Sequence, residues 1–88
     1  MKVLFTAEAW EDYVHWQEND RDIARRVSEL IKDMRRSPFR GIGKPEPLRG
    51  DLAGWWSRRI TGDHRIIYRV SGKSPAQPFE IAACRYHY

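Results

Sequence analysis

DIARRVSELIKDMRR, residues 22–36, carries the clearest structural signal in the chain. Its apolar side chains recur every three or four residues, which places them in one stripe along an α-helix. The stripe consists of Ile23, Val27, Leu30, Ile31 and Met34. The charged face consists of Arg25, Arg26, Glu29, Lys32, Asp33 and Arg36. Ser37-Pro38 ends the helix, because the residue before a proline disfavours helical geometry. Such a helix must cover its apolar stripe with another layer.

A second helix is predicted just before this one, over residues 7–18. Thr6 is suited to cap its N-terminus, and Glu8 lies in the first turn, where a negative charge is favourable. Trp10, Tyr13, Val14 and Gln17 follow the helical spacing. Asn19-Asp20 separates the two helices and caps the next one. So short a connection predicts an antiparallel pair of helices.

Alternating residues predict β-strands over the rest of the chain, at 2–5, 55–61, 65–70 and 79–86. Residues 38–54 are rich in proline and glycine and form a loop, with room for a short strand near Leu48. Residues 71–78 form a turn too long for a tight hairpin. The predicted fold is α+β, with two N-terminal helices packed on one face of a mostly antiparallel sheet, in a single domain over residues 1–88.

The same alternation assigns side chains to the two faces of the sheet. Ile66, Tyr68 and Val70 face the core, so Arg65, Ile67 and Arg69 face the uncovered side. Arg58 and Arg59 are neighbours, so they point to opposite faces. In the last strand, strict alternation puts Cys84 on the face opposite Phe79 and Ile81.

Composition narrows the class of protein. The chain has 88 residues, 41% hydrophobic and 32% charged, which is typical of a folded globular domain and leaves no run long enough for a membrane helix. One cysteine excludes an internal disulfide. Three scattered histidines do not form a zinc motif, so neither a metal nor a cofactor is expected. The N-terminus is too short and too polar for a signal peptide, and a cytoplasmic location is expected.

The net charge of +4 comes mostly from arginines, whose guanidinium groups bind phosphate bidentately. This surplus is compatible with a nucleic-acid partner, with an acidic protein partner, or with solubility alone. Glu46 lies between Pro45 and Pro47, which limit its backbone freedom. It is either a simple turn residue or a carboxylate held in place for chemistry. His87 is likewise either part of a frayed end or a proton donor.

Taken together, these signals are compatible with cleavage of RNA. Cleavage of RNA without a metal needs a base for the 2′-hydroxyl, a cation for the crowded phosphorus and an acid for the leaving 5′-oxygen. One glutamate, several arginines and one histidine can supply these groups, and aromatic side chains can stack on an unpaired base.

Four motifs in the sequence also resemble those of a known family. Lys44-Pro45-Glu46-Pro47-Leu48, Trp56-Ser57-Arg58-Arg59-Ile60, His64-Arg65 and the terminal Ala82-Ala83-Cys84-Arg85-Tyr86-His87-Tyr88 are similar to the YoeB family of the RelE superfamily. Members of that family are ribosome-dependent mRNA interferases. The resemblance covers essentially the whole chain.

The resemblance implies a role for each matching residue. Glu46 corresponds to the general base, His87 to the acid and Arg65 to the cation that stabilises the phosphate. Arg59 and Tyr88 match residues that bind the scissile nucleotide, and Arg49 stands where a phosphate-binding lysine is common. The implied partners are mRNA in the ribosomal A site, the ribosome, a YefM-type antitoxin and a second copy of the chain.

Two alternatives remain. ParE-type toxins have a similar fold and inhibit DNA gyrase by binding, without cutting RNA. A small RNA-binding module without catalysis would also suit the basic composition, although it would leave the terminal His87-Tyr88 pair without a role.

Overall fold

A computed structural model describes residues 2–71 and 78–86, in which two helices pack on a sheet. In chain order the elements are β1 (Val3–Phe5), α1 (Ala7–Asn19), α2 (Arg21–Arg36), β2 (Glu46–Pro47), a 3₁₀ turn (Gly50–Leu52), β3 (Trp56–Arg59), β4 (Arg65–Val70) and β5 (Phe79–Ala83). The strands lie in the order β1-β5-β4-β3-β2. β1 is parallel to β5, and the other pairs are antiparallel. The predicted α+β fold is confirmed.

The predicted helix caps are present. The Thr6 hydroxyl accepts a hydrogen bond from the backbone N–H of Ala9 at 3.1 Å. Asp20 ends α1 by donating its N–H to the Trp16 carbonyl, and its carboxylate caps α2 by accepting from the N–H of Ile23. One residue therefore serves both helices, which explains why the connection between them is so short.

The core lies between α1, α2 and one face of the sheet. Val27, Leu30 and Met34 of the predicted stripe are fully buried, and Ile23 and Ile31 are partly buried. From the strands and the residues directly after them, the buried members are Ile60, Ile66, Tyr68, Phe79, Ile81 and Cys84. Neither helix in the described residues is long and apolar enough to cross a membrane.

Two strands end earlier than predicted. β3 ends at Arg59 because the N–H groups of Ile60 and Thr61 both donate to the His64 carbonyl and form the turn to β4. β5 ends at Ala83 after an irregularity in its pairing with β4. Turn residues 72–77 lie outside the described residues.

That irregularity is a β-bulge. Tyr68 pairs with Ile81 but Ile67 pairs with Ala83, so Ala82 is one residue more than β4 can match. An extra residue shifts the alternation of every side chain that follows it.

The predicted position of Cys84 is wrong because of this bulge. Its side chain is fully buried in the core with Phe79 and Ile81, rather than on the opposite face. The thiol contacts the Ala9 carbonyl of α1 at 3.6 Å. Strict alternation was the wrong assumption, because it cannot anticipate an unpaired residue.

Candidate active site

Three of the predicted site residues share the face of the sheet that the helices leave open. Arg58 is buried on the core side of β3, so its neighbours Ser57 and Arg59 lie on the other side. Glu46 pairs with Ser57, and Arg59 pairs with Arg65. Directly paired residues point to the same face. The register therefore brings together Glu46, Arg59 and Arg65, from three adjacent strands.

Glu46 lies on β2, an edge strand of two residues. Pro47 is tolerated there because an edge strand leaves one side of its backbone unpaired. The Glu46 side chain is exposed, and its carboxylate has no hydrogen-bond partner among the described residues. A carboxylate that is held by its backbone but free at its oxygens can accept a proton from a ligand.

Arg65 is anchored at the turn that precedes it. Its Nη1 donates to the carbonyl oxygens of Thr61, Gly62 and His64 at 2.8, 3.2 and 3.1 Å. These contacts hold the guanidinium at one end of the open face. Its Nε and Nη2 have no partner among the described residues, so they can donate to a phosphate.

Two further arginines of this face, Arg59 and Arg69, and Arg49 in the segment after β2 differ in whether their charge is already paired. Arg59 and Arg49 are exposed and make no ion pair in the described residues. Arg69 forms an ion pair with Glu80 at 3.0 Å and packs over the ring of Trp55 at 4.5 Å. The charge of Arg69 is therefore already partly neutralised.

The end of the described chain is bound to this site. The Tyr86 N–H donates to His64 Nδ1 at 2.7 Å, and the Tyr86 carbonyl accepts from the Arg65 N–H at 2.9 Å. Tyr86 has a positive φ of 63°, an uncommon conformation for a residue with a side chain. His64 therefore holds the backbone of the chain at Tyr86, the last described residue. Its role as an acceptor for Tyr86 has no signal in the sequence.

Helix α1 holds Cys84, two residues before Tyr86. The indole N–H of Trp16 donates to the Cys84 carbonyl at 2.8 Å, and the Cys84 N–H donates to Asp12 at 3.0 Å. His87 and Tyr88, the predicted acid and a predicted nucleotide-binding residue, lie outside the described residues. Their roles stay predictions.

A hollow of about 340 Å³ opens on the same face beside Tyr86. Its lining includes Leu52, Ile67, Ala82 and Ala83. Ile67 is only 3% exposed although it points away from the helices, as predicted. Most of this surface is apolar, and Glu8 and Arg85 add one charge of each sign to the lining.

The described part of the site contains neither a reactive thiol nor a group of metal ligands. Burial, with a smaller effect from the nearby Asp12 carboxylate, raises the pKa of Cys84 to about 12, so this thiol is not a nucleophile near neutral pH. Among the residues described, no three or more His, Cys, Asp or Glu side chains lie close enough to hold a metal ion.

One important cluster was not anticipated. Arg58 is fully buried and pairs with Asp33 of α2 at 2.6 Å, and Tyr68 hydrogen-bonds the same guanidinium. Helical periodicity predicts Asp33 on the charged face of α2, but its side chain is only 8% exposed. The adjacent Arg58 and Arg59 could have indicated this cluster. One of the two must face the core, and a buried arginine needs a buried carboxylate as its partner.

Comparison with known proteins identifies the family. A family model described as "YoeB-like toxin of bacterial type II toxin-antitoxin system" matches residues 5–88. "Toxin YoeB" of Escherichia coli (strain K12) is 54% identical over 88 residues, which is 100% of both chains. "Toxin YoeB" of Streptomyces coelicolor is 51% identical over the same span.

Solved structures similar to this chain belong to the same family. A "YoeB/ParE toxin from Agrobacterium tumefaciens" superposes with a TM-score of 0.95 at 50% identity, covering 100% of both chains. A YoeB dimer and a YoeB-YefM complex, both from Staphylococcus aureus, give TM-scores of 0.88 and 0.87 at 39% and 38% identity, over 100% of this chain and 98% of theirs. The chain therefore belongs to the YoeB-like toxins of bacterial type II toxin–antitoxin systems.

Proposed function

We propose that this toxin is an endoribonuclease that cleaves mRNA in the ribosomal A site and so inhibits translation. The observation that supports this activity is the position of Glu46, Arg59 and Arg65 on one open face of the sheet. With strands about 4.8 Å apart and a rise of about 3.3 Å per residue, the Cα atoms of Glu46 and Arg65 are roughly 12 Å apart. Two long side chains can approach one phosphate from that separation.

The proposed reaction is general acid–base catalysis without a metal. Glu46 takes the proton of the 2′-hydroxyl, and the 2′-oxygen attacks the adjacent phosphorus. Arg65 stabilises the negative charge of the phosphorane. His87 gives a proton to the leaving 5′-oxygen, so the products are a 2′,3′-cyclic phosphate and a 5′-hydroxyl.

Substrate binding is assigned to residues around this centre. Arg59 and Arg49 contact the RNA phosphates, and Tyr88 orients the scissile nucleotide. The hollow beside Tyr86 offers an apolar surface on which an unpaired base can rest. The ParE-type alternative is not favoured, because the family model is YoeB-like and because Glu46 and Arg65 lie on one open face.

Mapping of cleaved mRNA tests the proposed function directly. An mRNA is translated in vitro with and without the pure protein, and its 5′ ends are mapped by primer extension. We expect new ends within codons positioned in the A site, and none on the same RNA without ribosomes. A protein that inhibits DNA supercoiling and leaves mRNA intact would support the gyrase alternative instead.

The ends of the products test the mechanism. Because Arg65, rather than a metal ion, stabilises the phosphorane in the proposed mechanism, the upstream fragment should carry a 2′,3′-cyclic phosphate or a 3′-phosphate. Mass spectrometry of the fragments, or their resistance to polyadenylation before phosphatase treatment, measures this. A 3′-hydroxyl on the upstream fragment would show a different mechanism. Product ends are preferred to magnesium depletion, since ribosomes themselves need magnesium.

The proposed partners are the ribosome with its mRNA, a YefM-type antitoxin and a second copy of the chain, all in the cytoplasm. The similarity to a YoeB-YefM complex and to a YoeB dimer supports the last two. We propose that an acidic segment of the antitoxin binds the open face through Arg59, Arg65 and Arg69, and so blocks the site.

Antitoxin binding should depend on these arginines unequally. We expect Arg59→Ala to weaken binding about fivefold, equivalent to about 1 kcal/mol, and to reduce its salt dependence. Arg69→Ala should cost less, because Glu80 already neutralises part of its charge. Calorimetric titration at two salt concentrations measures both effects, and Arg25→Ala on the exposed face of α2 is the control. Equal affinities for all variants would place the antitoxin elsewhere.

A further inference from the structure

The fully buried guanidinium of Arg58 uses all of its donors. Nε donates to the Tyr68 hydroxyl at 3.1 Å, and Nη1 donates to Asp33 Oδ2 at 2.6 Å. The other contacts are to backbone carbonyls of the loop that follows α2, those of Ser37, Arg40 and Ile42. We call Arg58, Asp33 and Tyr68 the Arg58 cluster.

Its other two members hold the same loop. Asp33 Oδ2 accepts the N–H of Ile42 at 3.0 Å, and the Tyr68 hydroxyl donates to the Pro38 carbonyl at 2.7 Å. The loop passes so close that a Cβ at Gly41 would lie 2.0 Å from Asp33 Oδ2. Only glycine fits there, and its φ of +123° also requires glycine.

This loop leads directly to Glu46, and β3 binds it at three consecutive residues. Arg58 holds residues 37–42 with its side chain. The Arg59 N–H donates to the Gly43 carbonyl at 2.6 Å, and Ser57 pairs with Glu46 itself. The backbone is therefore attached to β3 from the end of α2 to the candidate base.

Stability alone is a poor explanation for such a cluster. A buried ion pair often contributes less to stability than apolar residues of the same volume, because both charges must leave water. What the cluster provides is geometry, since five directed donors define where a loop of irregular backbone must lie.

We infer that the Arg58 cluster is a positioning device for Glu46, and this inference rests on the proposed function. The cluster touches no substrate, because it lies on the core side of β3. It acts through the loop by holding the Glu46 carboxylate where it can reach the 2′-hydroxyl. A small displacement of a catalytic group can reduce a rate about 10²-fold.

Tyr68→Phe tests this, because it removes one hydroxyl and leaves the ring in the core. We expect the single-turnover cleavage rate on programmed ribosomes to fall about 10-fold, while ribosome binding changes less than twofold. In a Glu46→Gln background the same change should cause no further loss, because there is no base left to position. Tyr13→Phe, which removes a hydroxyl with no partner in the described residues, is the matched control. Asp33→Asn should repeat the pattern.

Two outcomes would overturn the inference. One is an unchanged rate in Tyr68→Phe. The other is an equal fractional loss with and without Glu46, which would indicate a purely structural role.

Hydrogen exchange measures whether the Arg58 cluster holds the loop. It needs no cleavage assay, so its result does not depend on the proposed function. In Tyr68→Phe the amides of Ile42 and Arg59 should exchange faster, and those of α1 should not. Unchanged exchange at Ile42 would mean that the cluster does not hold the loop. If the wild-type protein failed to cleave mRNA, the proposed activity would be wrong, and the exchange result would still decide whether the cluster positions the loop.

Discussion

Glu46→Gln is expected to lower the rate of mRNA cleavage by about 10²–10⁴-fold, which is the usual contribution of a general base. The amide has nearly the shape of the carboxylate but cannot accept the proton of the 2′-hydroxyl. Because Glu46 is exposed and its side chain makes no hydrogen bond or ion pair within the described residues, its replacement should leave the melting temperature nearly unchanged. Single-turnover cleavage on programmed ribosomes and thermal unfolding measure the two effects.

His87→Gln should cause a loss of similar size, since the acid and the base act in the same step. Glu29→Gln is the control, because this exposed glutamate of α2 lies on the helical side of the molecule. Near-normal cleavage by both Glu46→Gln and His87→Gln would refute the proposed acid–base pair.

Asp33→Ala is expected to destabilise the fold by about 3–5 kcal/mol, because it leaves the Arg58 guanidinium buried without a counter-charge. It also removes the acceptor of the Ile42 N–H. Urea unfolding followed by circular dichroism measures the change. Asp22→Ala is the matched control, since Asp22 is 94% exposed, its 4.0 Å pair with Arg25 lies at the surface, and such pairs contribute less than about 1 kcal/mol. A loss of similar size in both variants would contradict the importance of the buried pair.

The same ion pair gives the stability a defined pH dependence. The hydrogen bond from Arg58, with one from the Ile42 backbone, holds the pKa of Asp33 below its ordinary value of 3.8. A carboxyl group with a lower pKa in the folded state stabilises the fold above its unfolded value, and the contribution is lost as the pH falls through the folded value. Between pH 6 and about pH 3, wild-type protein should therefore lose more stability than Asp33→Asn. Parallel pH profiles for the two proteins would contradict this.

Much of the fold can be predicted from local sequence. The apolar stripe of α2 and the caps Thr6 and Asp20 depend on residues a few positions apart, so periodicity and side-chain chemistry are sufficient. The alternation in β4 correctly places Arg65 on the open face and Ile66 in the core. The predicted site residue Glu46 also lies on a short strand, close to the one expected near Leu48.

Contacts between distant parts of the chain decided the rest. The sequence required Arg58 and Arg59 to face opposite ways, but only the packing of α2 against β3 shows that Arg58 is the buried one, since Asp33 is its partner across 25 positions. The bulge at Ala82 moves Cys84 into the core, because an unpaired residue reverses the alternation and depends on the neighbouring strand. The hydrogen bond from the Tyr86 N–H to His64 joins residues 22 positions apart. Local sequence determined the elements of this toxin and the types of its site residues, whereas tertiary hydrogen bonds and strand register decided which of those residues meet.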